Sequence, residues 1–215
     1  RIEEGEALVS LRAELSMTET QLADAWSTGK YGYARIDGQH EPFSEQQLVD
    51  FCAAAEALDI DVQLRIPHTR EAHLLGRYLD FGFSAILVPE VMEVETVDDA
   101  ISYAYYPPMG RRSWGGACRR GLRSVGNERL TYSAWWNEYV VLAIQVESVE
   151  AVTNIQKLVK PGVHVVTFGP NDLSFSLEDH PEFPLRTVDD CMRNVADQLA
   201  GTGIRLAMGT GTRPE

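Results

Sequence analysis

Cysteine is scarce and scattered in this chain. Cys52, Cys118 and Cys191 are the three present, and no CxxC pair or Cys/His cluster accompanies them, which excludes the usual zinc spacings. An odd, dispersed set gives no disulfide framework and makes a reducing cytoplasm the expected compartment. Cys52 and Cys191 fall in helical patterns, where a buried thiol packs as a small hydrophobe. Basic residues are also short. Nineteen Lys and Arg face 32 Asp and Glu, a formal charge of -13, which excludes a general binder of nucleic-acid backbones. No apolar run approaches the roughly 20 residues of a membrane helix, so no membrane partner is expected. No signal-peptide pattern stands at Arg1. The segment Ala13-Glu14-Leu15-Ser16 after the first apolar run cannot act as a GxGxxG turn, which argues against a dinucleotide fold.

What is present is a regular alternation. Short apolar runs at Ala7–Leu15, Tyr33–Ile36, Ile60–Ile66, Ser84–Val88, Val140–Val146, His164–Phe168 and Ile204–Met208 read as strands. Amphipathic stretches at Glu19–Ser27, Ser44–Leu58, Glu71–Phe81, Val97–Tyr105, Val149–Val159 and Val188–Ala200 read as helices. Ser44 followed by Gln47 fits a capping box. Near-continuous apolar strands are expected when both faces are covered, so the pattern predicts a parallel α/β fold. Periodicity alone does not choose between an open sheet and a closed barrel. The polar residues decide it, because Asp37 to His40, Arg65, Glu147 and Asp172 all follow strand C-terminal ends. A barrel gathers those ends into one mouth. The expected architecture is a TIM-type (β/α)₈ barrel forming a single domain over 1–215. The eighth strand and helix are missing from the sequence after Gly209-Thr210-Gly211-Thr212, as if a C-terminal part were omitted. Residues 107–138 form an Arg- and Gly-rich excursion with aromatics from Tyr132 to Trp136, expected to be a lid or an oligomer contact.

Glu147 directly follows an apolar run, and Asp172 follows the next one. Neighbouring strands lie about 4.8 Å apart, so the two carboxylates can share one hard cation such as Mg²⁺, Mn²⁺ or Ca²⁺. The alternatives are an ion pair for Glu147 and a turn cap for Asp172. Gly169 lets backbone approach a ligand, and free N–H groups near it suit a substrate carboxylate, although Pro170 has none. His40 is a candidate general base that needs an orienting carboxylate, with Asp80 and Asp37 both available. Arg65 suits bidentate carboxylate recognition and enolate stabilisation. His68, His73, His164 and His180 read as structural or surface residues.

The ordered segments Ile36-Asp37-Gly38-Gln39-His40-Glu41-Pro42, Leu64-Arg65-Ile66-Pro67, Leu79-Asp80-Phe81-Gly82, Ile86-Leu87-Val88-Pro89, Tyr106-Pro107-Pro108-Met109-Gly110-Arg111-Arg112, Gln145-Val146-Glu147-Ser148 and Gly169-Pro170-Asn171-Asp172-Leu173 together resemble the HpcH/HpaI aldolase/citrate lyase family. The resemblance implies a carbon–carbon lyase acting through a pyruvate enolate on a small 2-oxo acid and an aldehyde or second carboxylate substrate. Oxaloacetate decarboxylation, citrate-type condensation and a CoA-thioester lyase are the variants within it, and a non-catalytic metabolite- or partner-binding barrel is the reading of another class. It implies a divalent metal (Mg²⁺, Mn²⁺ or Co²⁺) on Glu147 and Asp172, and enolate stabilisation by Arg65. It also implies proton transfer by His40 paired with Asp80, and substrate contacts from Gln145, Gly169, Pro170 and Asn171. Assembly as a homo-oligomer, a trimer or hexamer, is implied too. The chain departs from the family pattern at Gln39, where Glu is usual, and in the excursion, whose Arg119, Arg120 and Arg123 could recognise a second carboxylate.

Overall fold

The structure, a computed structural model, describes residues 8–207. Its elements are β1 (Ser10–Arg12), α1 (Glu19–Ser27), β2 (Tyr33–Asp37), α2 (Glu45–Ala57), β3 (Val62–Arg65), a 3₁₀ turn (Thr69–Leu74), α3 (Leu75–Asp80), β4 (Ala85–Val88), α4 (Val94–Ala104), α5 (Leu122–Val125), α6 (Arg129–Tyr139), β5 (Val141–Val146), α7 (Val149–Leu158), β6 (Val165–Phe168), α8 (Pro170–Asp179), α9 (Val188–Gln198) and β7 (Arg205–Ala207). The seven strands form one parallel sheet in sequence order, curled into an open barrel with β1 and β7 at its edges. Ala7, Met208 and the Gly209–Thr212 segment lie outside the described residues.

Local chemistry sets the helix starts. Thr18 with Gln21 and Ser44 with Gln47 form reciprocal capping boxes on α1 and α2, each satisfying two otherwise orphaned donors. Ser148 and Thr187 cap α7 and α9 through single backbone N–H groups.

Strand pleating then sorts the side chains. Ala34 and Ile36 of β2, Val62 and Leu64 of β3, Ile86 and Val88 of β4, and Leu142 and Ile144 of β5 are buried under the helical layer. The alternate residues of these strands point to the barrel axis. The core therefore lies between sheet and helices, and the axis carries most of the polar strand residues beside Tyr33, Leu87 and Val165.

Two expected features differ. The helix expected at Glu71–Phe81 begins as a 3₁₀ turn, capped by His68 through the Arg70 N–H. The excursion sits at the base of the barrel, because Gly121 N–H donates to Glu56 at the end of α2 and Arg120 pairs with Asp59 and Asp61 just before β3. It is thus no lid over the mouth of its own chain. There Tyr132 and Trp136 are fully buried. Trp136 Nε1 donates to the Ala104 carbonyl at 3.0 Å, and the Arg112 guanidinium stacks 4.4 Å from the Trp136 ring. Removing that ring opens a large cavity and strips the arginine of its aromatic face. Trp136→Ala is expected to cost about 3–5 kcal/mol, read as a lower urea midpoint with unchanged slope.

Candidate active site

A cavity of about 350 Å³ opens at the C-terminal ends of the strands, with His40, Arg65, Gln145, Gly169, Asn171 and Asp172 on its wall. Glu147 lies just beneath that wall, 5% exposed. It follows β5 immediately, and its Oε1 accepts the Glu90 backbone N–H at 2.9 Å. Glu90 holds a left-handed φ of 51°, an uncommon state for a non-glycine residue, and this turn after β4 presents its amide to Glu147. The other oxygen, Oε2, is buried with no hydrogen-bond partner among the described residues, as is Gln145 Oε1.

Asp172 stands on the first turn of α8, which sequence periodicity did not reveal as a helix. Its carboxylate reaches that of Glu147. Burial, with the like charge of Asp172 added, pushes the Glu147 carboxyl up to about 7, against the opposing pull of the Glu90 amide and Arg65. Two acids brought together and left with an orphaned buried oxygen fit a cation between them. Among the described residues no group of three His, Cys, Asp or Glu side chains converges. A metal here would take two protein carboxylates and leave its other positions to water and substrate, as Mg²⁺-type ions prefer.

Gly169 makes this approach possible. A Cβ at Gly169 would collide with Glu147 Oε2 and lie 2.8 Å from Gln145 Nε2. Its φ of -101° is open to any residue, so the demand is for space alone. Gly169→Ala is expected to fold but to displace Glu147, weakening divalent-metal affinity about 10–100-fold; isothermal titration with Mn²⁺ checks it. The Gly169 N–H is spent on the Val146 carbonyl and Pro170 has none. The amides left without an intrahelical partner at this end are therefore those of Asn171 and Asp172 in the first turn of α8.

Arg65 ends β3 directly opposite Asp37 on β2. Its Nε donates to Asp37 Oδ1 at 2.9 Å, and Nη2 pairs with Asp37 Oδ2. Partial burial pushes the Asp37 carboxyl up, but the Arg65 fork and the backbone N–H groups of Gln39 and His40 outweigh it and hold it below its ordinary value. Asp37 thus fixes Arg65 and the turn carrying His40, leaving the Nη1 edge of the guanidinium for a ligand.

His40 is exposed at the rim. Asp80 is not beside it. It ends α3, at the opposite end of the barrel, where Arg112 Nη2 donates to it at 2.7 Å. Helices run back against the strands, so a residue closing α3 lies at the strand starts; within one chain Asp80 cannot orient His40. Arg119 and Arg120 also lie at the base, bonded to Gly116 and Asn127 and to Asp59, and they do not line this cavity. His164 accepts the Leu142 N–H at 3.2 Å, a structural role. Sequence reasoning missed the Glu90 amide, for which no side-chain signal exists, and the inward Arg35, which shares strand parity with Asp37.

The fold and the mouth define a class: a (β/α)-barrel enzyme with a cation-ready carboxylate pair facing an arginine. The family model for HpcH/HpaI aldolase/citrate lyase matches residues 15–198. A 2-keto-3-deoxy-L-rhamnonate aldolase of Salmonella gallinarum is 31% identical over 210 residues, covering 93% of this chain and 76% of that protein. An HpcH/HpaI aldolase from Desulfitobacterium hafniense superimposes with a TM-score of 0.83 at 24% identity, covering 99% of this chain and 81% of the other. The citrate synthase SbnG gives 0.76 at 22% identity, covering 97% and 79%. These two structural matches carry the fold. The chain belongs to the HpcH/HpaI aldolase/citrate lyase family, and it is a carbon–carbon lyase of the aldolase type. No helix among the described residues is long and apolar enough to cross a membrane.

Proposed function

We propose that this lyase makes or cleaves its C–C bond through the enolate of a pyruvate-like 2-oxo acid, with a divalent metal held by Glu147 and Asp172. The observation that carries the reading is the buried Glu147 beside Asp172, one oxygen unpartnered, at the N-terminus of α8. Mg²⁺, Mn²⁺ or Co²⁺ bound there supplies Lewis-acid polarisation of the 2-oxo acid. The first-turn amides of α8 receive the substrate carboxylate. Gln145, on the wall beneath them, contributes a neutral polar contact. Arg65, immobilised by Asp37, offers its remaining guanidinium edge to the negative charge that develops on the keto oxygen. His40 moves the proton at the substrate C3 or at the aldehyde oxygen, directly or through one water.

The test begins with metal removal. EDTA is expected to abolish the exchange of pyruvate C3 protons in deuterium oxide, and added Mg²⁺, Mn²⁺ or Co²⁺ to restore it. Full exchange in a metal-free preparation would refute the metal assignment, and no exchange under any condition would leave a binding barrel rather than an enolising site.

A further inference from the structure

Barrel interiors are ordinarily filled by bulky branched side chains. Here Tyr33, Leu87 and Val165 share the cavity wall below the mouth with the small or polar Ser10, Gln63, Ala143 and Thr167. Arg35 lines the same cavity, between Tyr33 and Asp37 along β2. It lies two residues before Asp37 on the same inward face of β2, in register with Arg12 on one side and Gln63 on the other.

Three guanidinium groups converge here, since both Arg12 and Arg65 act on Arg35 as like charges. Two are neutralised: Arg65 by Asp37 and Arg12 by Glu41. Arg35 makes no ion pair or hydrogen bond among the described residues, and its Nε is buried without a partner. Burial, reinforced by Arg12 and Arg65 and opposed by Tyr33 and Asp37, pushes its pKa down. A half-buried guanidinium with no direct ion pair is costly unless an anion joins it.

We propose that Arg35 is a specificity-determining residue that binds a second, distal carboxylate of a substrate whose reacting end sits at Glu147, Asp172 and Arg65. This deepens the aldolase reading and rests on it. One net positive charge matches one carboxylate rather than a phosphate dianion, and the guanidinium fork fits the carboxylate plane. The distal carboxylate belongs either to the 2-oxo acid or to the acceptor aldehyde, and the two are separable by experiment.

For the first source, 2-oxoglutarate and the neutral-tailed 2-oxopentanoate are titrated calorimetrically into the protein, with and without Mg²⁺. For the second, succinic semialdehyde and butanal are compared as acceptors with pyruvate. Wild type is expected to favour the charged partner in one of these arms by about 30-fold or more. Arg35→Leu should erase the preference while leaving the neutral partner and pyruvate C3 exchange unchanged, and Arg35→Lys should restore part of it. No charge preference in wild type in either arm overturns the inference. So does an equal loss for charged and neutral partners in Arg35→Leu, which marks a structural arginine. If wild type exchanges no pyruvate protons the aldolase reading fails, while the metal-free titration still decides whether Arg35 holds a carboxylate.

Discussion

Glu147→Gln is expected to eliminate divalent-metal binding and turnover, and at the same time to make the metal-free protein more stable at pH 8. The two effects have one cause. Glu147 is buried beside Asp172 with one oxygen unpartnered, an arrangement that is unfavourable until a cation joins it. Its carboxyl titrates near 7 in the fold against about 4.3 in an unfolded chain. Between those values the native state binds more protons than the unfolded state, so stability falls as pH rises through the window, and the loss is complete above about pH 7. Glutamine carries no charge and offers an N–H toward Asp172. The gain expected in Glu147→Gln is about 1–3 kcal/mol, measured as a higher urea midpoint in EDTA, with the pH slope between 5 and 7 flattened. Wild type should recover the difference on adding Mg²⁺, because a ligand that binds only the native state stabilises it. Asp172→Ala separates the two effects. Its side chain is exposed, so metal binding and turnover should vanish with only a minor part of that gain at pH 8, because burial outweighs the charge of Asp172 in raising the Glu147 carboxyl. Unchanged Mn²⁺ affinity in either variant would remove the carboxylate pair from the mechanism.

Arg65→Ala is expected to lower kcat by about 10²–10³-fold while metal affinity stays within a few fold. Arg65 would not be a ligand of such a cation; it is a fixed positive charge that acts on Glu147. Asp37 holds it by two hydrogen bonds across the β2–β3 register. A guanidinium so restrained meets developing charge without reorganising. Arg65→Lys keeps the charge but not the planar fork. It should recover less than a tenth of the lost rate. Pyruvate C3 exchange should fall in parallel with aldol turnover in both variants, since both pass through the same anion. A fall in turnover with exchange intact would move Arg65 from enolate stabilisation to acceptor binding.

The strands and most helices were legible in the sequence because burial on both faces writes itself as apolar runs, and because Ser44 with Gln47 gives a local cap signal. The same period-2 reading placed Asp37, Arg65 and Glu147 at strand ends. Legibility failed where a contact joins residues distant in sequence. Asp80 read as a partner for His40, yet it ends a helix that returns to the strand starts and pairs with Arg112. Arg119 and Arg120 of the excursion read as carboxylate receptors, yet aromatic rings enclose the first and base-end acids hold the second. Helix α8 went unseen because Pro170 and polar residues open it. Proline is nonetheless well suited to the first helical position.

Composition and periodicity alone pointed to a parallel α/β chain, and the polar residues at the strand ends, Arg65 and the acids among them, pointed to a barrel. Tertiary structure alone decided that, among the described residues, one oxygen of the buried Glu147 has no partner and Arg35 has no direct ion pair, and that Gly169 must lack a side chain. The division has a physical origin. Alternation along a strand is a property of neighbours in sequence, whereas burial and charge compensation are sums over groups that only the closed fold brings within a few ångströms.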